Sequence, residues 1–212
     1  LAKKRILDFH VFHKFSDSTN NNKSPEYVFY SEDSKEIYRQ PSRAYKIDSK
    51  KNDFIGVLKG KGFIEEGALI KDPMDFSKKN YASLSALDQI LKRLIFPNQF
   101  PKQEVFDLNS EDYEFIRFWM SRTPTEVNVP LYDRDHYYDS YCKFLMYGDT
   151  RGEMSNRIRI YNKVGLAYGT LTDVAYIKDD LGVEFFLAAT ILVNRNQIFN
   201  DGEYEYDDIG IP

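Results

Sequence analysis

Three apolar runs crowd the last third of the chain: "RIRIYNKVG" at 157–165, "GTLTDVAYIKD" at 169–179 and "VEFFLAATILVN" at 183–194. Each is short, rich in β-branched and aromatic residues, and bounded by a turn signal, which favours strands over helices. The connections are only a few residues long, and "KDDLG" places a glycine where a positive φ is expected. Connections that short join antiparallel neighbours and cannot make a parallel crossover. Residues 158–163, 171–178 and 183–193 are therefore expected to form adjacent antiparallel strands. In the first run Ile158 and Ile160 alternate with Arg159 and Tyr161, and Lys163 falls where the backbone is expected to turn. The third run is apolar on both faces, as befits a central strand covered on both sides.

Helical periodicity precedes these strands. Leu84, Leu87, Ile90, Leu91 and Leu94 recur at helical spacing, with Ser83 placed to cap and "FPNQFP" to stop. In "LNSEDYEFIRFWMS", Ser110 is the expected N-cap, with acids in the first turn. Phe115, Phe118 and Trp119 supply its apolar face, so Phe115 and Trp119 are expected to be buried. A short helix is expected near Tyr137 to Met146. Upstream, "RILDFHVFHKF" reads as a strand, "STNNNKSPE" as a polar loop, and "GKGFIEEGALIKDPMDFSKKN" as a loop or short hairpin. Helices followed by an antiparallel meander define an α+β fold.

Composition narrows the function classes. The 212 residues carry a net charge of -4, which leaves no basic footprint for nucleic acid. No apolar run approaches the roughly 20 residues that cross a bilayer, so no integral membrane segment is expected. The single cysteine, Cys142, excludes an internal disulfide. The 16 Tyr and 16 Phe are expected to line the core or a cleft. The opening "LAKKRILDF" and the closing "DIGIP" read like a sequence entered and left in mid-protein, so a fragment is expected.

The order of "LSALDQILKRLIF", "LNSEDYEFIRFWMS", "IRIYNKVG", "LTDVAYI" and "VEFFLAATILV" resembles the C-terminal half of class A β-lactamases and related penicillin-binding-protein-like serine hydrolases. The resemblance covers roughly residues 60 to 200. In that family a helix pair precedes a strand ending in Lys-Thr/Ser-Gly, and two antiparallel strands follow; here the triplet is Lys163-Val164-Gly165. "DFSKKNYASL" resembles the exit from the loop covering the family's active site. The resemblance implies a β-lactamase/transpeptidase-like sheet flanked by helices, with residues 1–212 the C-terminal portion of one such domain. It also implies acyl-enzyme chemistry on an amide or ester, no cofactor or metal, and export to the periplasm or cell surface. The substrate would be a small molecule or a cell-wall peptide.

Site residues carry over position by position. Lys163 would be the catalytic cation, beside a nucleophile and a substrate carboxylate. Gly165 would let substrate backbone lie against the strand edge, and Leu166 would give one oxyanion-hole amide. Val164 departs from the pattern: it lacks the hydroxyl that contacts the substrate carboxylate, a loss of about 1–2 kcal/mol, which argues against efficient β-lactam turnover. The family also needs Ser-x-x-Lys and Ser-x-Asn. Ser140-Tyr-Cys-Lys143 and Ser18-Thr-Asn20 match in type but fall in the wrong order. The expected nucleophile thus lies upstream of Leu1, Ser140 is not expected to be one, and the chain alone is expected to be inactive. Glu65 and Glu66 fit the deacylating position poorly.

Two other readings stay open. Lys163 is otherwise a solvated strand-end charge, and the chain is otherwise a noncatalytic module holding peptide or glycan in an aromatic cleft; "YYDSY" suits either such a surface or core packing. His10-Val-Phe-His13 lacks a third metal ligand at compatible spacing. Asp201, Glu203, Glu205 and Asp207 alternate without the glycine turn of a calcium loop, which favours a solvated acidic segment.

Overall fold

The structure is a computed structural model that describes residues 1–12, 23–44, 52 and 54–211. His13, Ser18 and Asn20 lie outside the described residues. The chain divides into two compact units: His10–Lys59 with Asp75–Tyr81, and Leu1–Phe9 with Gly60–Met74 and Ala82–Pro212. In the smaller unit, "EYVFY" and "EIYRQP" pair as an antiparallel hairpin of β1 (Tyr27–Tyr30) and β2 (Glu36–Gln40), with a bulge between Phe29 and Tyr30. Its exposed face is tied by Phe29 against Tyr38 and by Arg39 bound to Glu26 and Glu36.

The larger unit begins with β3 (Gly62–Glu65) and β4 (Ala68–Ile70), so the glycine-rich stretch is a hairpin. Glu66 and Gly67 make its turn, both at positive φ, and Glu65 and Glu66 are exposed. Two helices follow, α1 (Leu84–Ile95) and α2 (Ser110–Ser121). Ser83 caps α1, its side chain accepting from the Ala86 amide at 3.0 Å. The cap of α2 is Asn109 and not Ser110: the Asn109 side chain accepts from the Asp112 amide while the Asp112 carboxylate accepts from the Asn109 amide. Asparagine one residue earlier completes a reciprocal box that Ser110 would leave half made.

The meander is β5 (Ile158–Ala167), β6 (Thr170–Asp179) and β7 (Glu184–Leu192), in spatial order β7-β6-β5. The three expected strands are all present, adjacent and antiparallel. A last short strand, β8 (Ile198–Phe199), runs parallel to β3. Val174 and Tyr176 of β6 pack with Leu91 and Ile95 of α1 on one face. On the other, Ile160, Ala175 and Ile177 are covered by Leu145, Tyr147 and Met154. The architecture is thus α+β, with several small antiparallel pairings and few helices.

Four expectations are corrected. The strand β5 continues four residues past Lys163, placing that lysine inside a strand and not at its end. The two-sided strand is β6, while β7 is an edge strand with most of its side chains exposed; in a three-run meander the middle run is central whatever the apolarity of the third. Phe115 and Trp119 are 63% and 46% exposed. The inward stripe of α2 is Tyr113, Ile116, Met120 and Ser121, leaving Phe115, Phe118 and Trp119 edge to face on the outside. The expected helix near Tyr137 to Met146 shrinks to one turn, Phe144–Tyr147, broken by positive φ at Met146.

Leu91 is buried under β6, whereas Leu187 stands on the open edge strand. Leu91→Ala should lower unfolding free energy by about 2–5 kcal/mol and Leu187→Ala by less than about 1 kcal/mol. Urea denaturation of both variants checks this ordering, and equal losses would place β7 in the core.

Candidate functional site

The geometry around Lys163 follows from one turn. Tyr168 and Gly169, both at positive φ, join β5 to β6 as a two-residue hairpin, and Ala167 opposes Thr170. That turn makes its closing pair exchange both ladder hydrogen bonds, after which bonded and non-bonded pairs alternate. The amides of Lys163, Gly165 and Ala167 therefore face β6. Those of Val164 and Leu166 point away, along an edge that no further strand among the described residues covers.

Side-chain alternation sorts the same residues by face. Lys163 opposes Val174 and Tyr161 opposes Tyr176, so Lys163 and Gly165 share the face that α1 covers. Lys163 is exposed, and its Nζ turns back to donate to the Val164 carbonyl at 2.5 Å. Gly165 has no positive φ, and no atom lies within 4 Å of where a Cβ would stand. Nothing within the chain demands glycine there. Val164 is half-buried and Leu166 exposed, both on the opposite face. The structure thus brings all four residues together on one open edge.

Beneath that edge lies a buried polar cluster of Lys143, Asn162 and Asp173. Lys143 is 1% exposed, and its Nζ donates to the Met120 carbonyl (2.9 Å), the Ile160 carbonyl (2.9 Å) and Asn162 Oδ1 (2.7 Å). Asn162 Nδ2 donates to the Cys142 carbonyl at 2.7 Å and to both Asp173 oxygens at 3.0 and 3.1 Å. Asp173 Oδ2 also accepts from the Leu145 amide at 3.3 Å. Burial lowers the Lys143 pKa to about 8 and raises those of Asp173 and the Cys142 thiol. The signal was phase: Asn162 sits in register with Ile158 and Ile160, and Asp173 with Leu171 and Ala175, at positions the alternation reserves for apolar side chains.

Ser140 is 2% exposed, and its hydroxyl donates to the Thr150 carbonyl. Lys143 spends its three protons elsewhere, so Ser140 and Lys143 do not form a nucleophile–base pair.

Two hollows open elsewhere in the larger unit. One, of about 280 Å³, is lined by Lys92, Phe96, Phe100, Tyr176, Glu184 and Phe186, among others. Phe96, Tyr176 and Phe186 pack with centroids 5.0 to 5.9 Å apart, and the Tyr176 hydroxyl donates to Glu184. Burial, then that carboxylate, raise the tyrosine pKa. The other, of about 420 Å³, lies on the C-terminal loop beside Arg195, Glu203 and Glu205. There Asp201 accepts from Asn196 and the Glu203 amide, and Glu205 from the Arg195 amide. Among the described residues no group of three or more His, Cys, Asp or Glu is placed to hold a metal ion. His10 packs edge-on against Phe12. Tyr137 and Tyr141 of "YYDSY" meet edge to face at 5.0 Å and line neither hollow. No helix among the described residues is long and apolar enough to cross a membrane.

Comparison with family models, with curated proteins and with solved structures gave no significant match.

The buried lysine has a pH signature. Its folded pKa, about 8, lies below the ordinary 10.5, so between these values the unfolded chain binds more protons and stability rises with pH. A gap of that size corresponds to about 3 kcal/mol. Between pH 7 and 10.5 the wild type should gain about that much relative to Lys143→Met, measured by urea denaturation across pH. Parallel pH profiles for the two proteins would show that Lys143 is not charged and buried at neutral pH.

Proposed function

We propose that the chain is part of a β-lactamase-like serine hydrolase that acts on an amide or ester by acyl-enzyme chemistry, with β5 as one wall of the active site. The observation that carries this reading is the open edge of β5: the Leu166 amide points outward beside a glycine with empty space around it, and Lys163 stands on the helix-covered face. An extended acyl substrate laid along that edge would meet the Leu166 N–H where a developing oxyanion needs a donor. The Lys163 ammonium would offset negative charge on the intermediate or on a substrate carboxylate. The hydroxyl of Ser140 is committed and buried, so the nucleophile is assigned to sequence outside residues 1–212. Export to the periplasm or cell surface, and a small-molecule or cell-wall peptide substrate, belong to the same proposal. With Val164 lacking a hydroxyl, β-lactams are poor substrates on this reading.

A second reading, a noncatalytic peptide- or glycan-binding module, is favoured by the hollow of Phe96, Tyr176 and Phe186, where rings, a carboxylate and an ammonium converge. On that reading Phe96→Ala weakens binding and Lys163 is irrelevant.

In the protein that carries this chain together with its nucleophile, Lys163→Ala should slow acylation at least about tenfold, equivalent to about 1.4 kcal/mol of transition-state stabilisation. Folding should be unaffected, since Lys163 is exposed. Burst-phase kinetics with an activated ester reads the acylation rate directly, and an unchanged rate would leave Lys163 a strand charge. The 212-residue chain alone should not be labelled at Ser140 by a fluorophosphonate.

A further inference from the structure

We infer that Lys143 is a positioning residue for the site on β5, acting through Asn162 on the strand edge that carries Lys163 and Leu166. This inference rests on the hydrolase reading for its functional part, while the clamp itself is read from geometry alone.

One ammonium ties α2 to two points on β5. Its three bonds run to the C-terminal turn of α2 at Met120, to the β5 backbone at Ile160, and to the Asn162 side chain. Asn162 directly precedes Lys163 and points to the opposite face, where its amide is fixed by the Cys142 carbonyl and by Asp173 on β6. Each polar proton of the pair therefore has an acceptor, and the acceptors are spread over α2, β5, β6 and the loop at Cys142. Among the described residues no strand neighbours the outer edge of β5. Beyond the ladder to β6, this anchor holds it three and four residues before Gly165 and Leu166, and Arg159 bound to Glu126 holds it further back. The groups facing Lys143 are Cys142 beside it, Asp173 on β6, Arg159 on β5, and Glu126 after α2. Asp173 opposes Val164 directly in the ladder, so the cluster reaches the same stretch of edge from both strands. A clamp built from charge-assisted bonds inside a desolvated site is short and directional, and loses its geometry when one member is removed.

The test compares the full chain with its Lys143→Met and Asn162→Ala variants by amide hydrogen exchange. Protection at the β6-facing amides of Tyr161, Lys163 and Gly165 should fall about tenfold or more relative to the β6-facing amides within residues 185–191 of β7. Equal loss at both places, or no loss, overturns the clamp. The wild type supplies a second measurement that needs no variant: the Asn162 side-chain amide and the backbone amides of 163–166 should titrate in step with Lys143 near pH 8, while the Leu181 amide does not. Static shifts at 163–166 across that titration also overturn it. The functional part is read in the protein that includes the nucleophile. There Lys143→Met should lower kcat about tenfold with KM nearly unchanged, because the ground-state contacts survive while the oxyanion donor is displaced. Lost protection with an unaltered kcat, in a protein where Lys163→Ala does slow acylation, overturns the positioning role. If Lys163→Ala is itself silent, the hydrolase reading fails, and the exchange result alone decides the clamp.

Discussion

The two-sided pairing of β6 is what the larger unit is built on. This strand shares ladders with β5 and β7, contributes Val174 and Tyr176 to the cluster under α1, and contributes Ala175 and Ile177 to the cluster on the opposite face. Ten consecutive residues thus supply the backbone to which both edge strands bond and side chains to both apolar layers. Such a strand has its backbone groups paired in two directions while its side chains leave water on both faces. The edge strands, by contrast, each keep one side free. That freedom on β5 is what makes it available to a ligand, and on β7 it leaves Phe185, Leu187 and Ile191 in solvent.

A buried ammonium beneath β5 is an unusual way to fill a core. Several kcal/mol of desolvation accompany the removal of such a charge from water, and three carbonyl-type acceptors recover much of it. Apolar side chains of the same volume would pack there with less demand on geometry. What they would lack is direction: hydrogen bonds to Met120, Ile160 and Asn162 hold these three sites at fixed separations, which dispersion contacts do not. The stability lost to the buried charge near neutral pH is the counterpart of a strand edge with one defined position.

The sequence made the sheet legible because its signals are local. Period-two alternation and glycine turns name the strands of a meander, and a meander has one strand order. Helix α1 was equally plain, from its cap to its apolar stripe. What the sequence left hidden depends on choices made across the chain. Phe115, Phe118 and Trp119 form as good an apolar face as Tyr113, Ile116 and Met120, and only the partner offered by β5 and α1 decides between them. Lys163 looked like a terminal residue because glycine follows two positions later, yet Gly165 is extended and the reversal waits for Tyr168 and Gly169. Lys143 was seen only as part of a misplaced Ser-x-x-Lys. Its companions Asn162 and Asp173 were visible as polar interruptions in apolar phase, but a pattern of that kind says that a residue is inward-facing and not what it meets there.

The hairpin between β5 and β6 bears on how this chain can vary among descendants. Gly169 is held at φ +72°, its carbonyl accepts from the Val193 amide at 2.7 Å, and its own amide donates to the Tyr206 hydroxyl at 2.8 Å. A Cβ there would come within 2.8 Å of the Tyr204 ring. Inserting one residue at this turn would shift the register by one and carry Lys163 and Gly165 to the opposite face, exchanging inward and outward amides along the whole edge. The turn before β7 is held differently: Asp179 accepts from the Leu181 and Val183 amides and Gly182 stands at φ +93°, but a Cβ there would meet nothing within 4 Å. The length of the two-residue turn between β5 and β6 thus decides which face of the sheet carries Lys163.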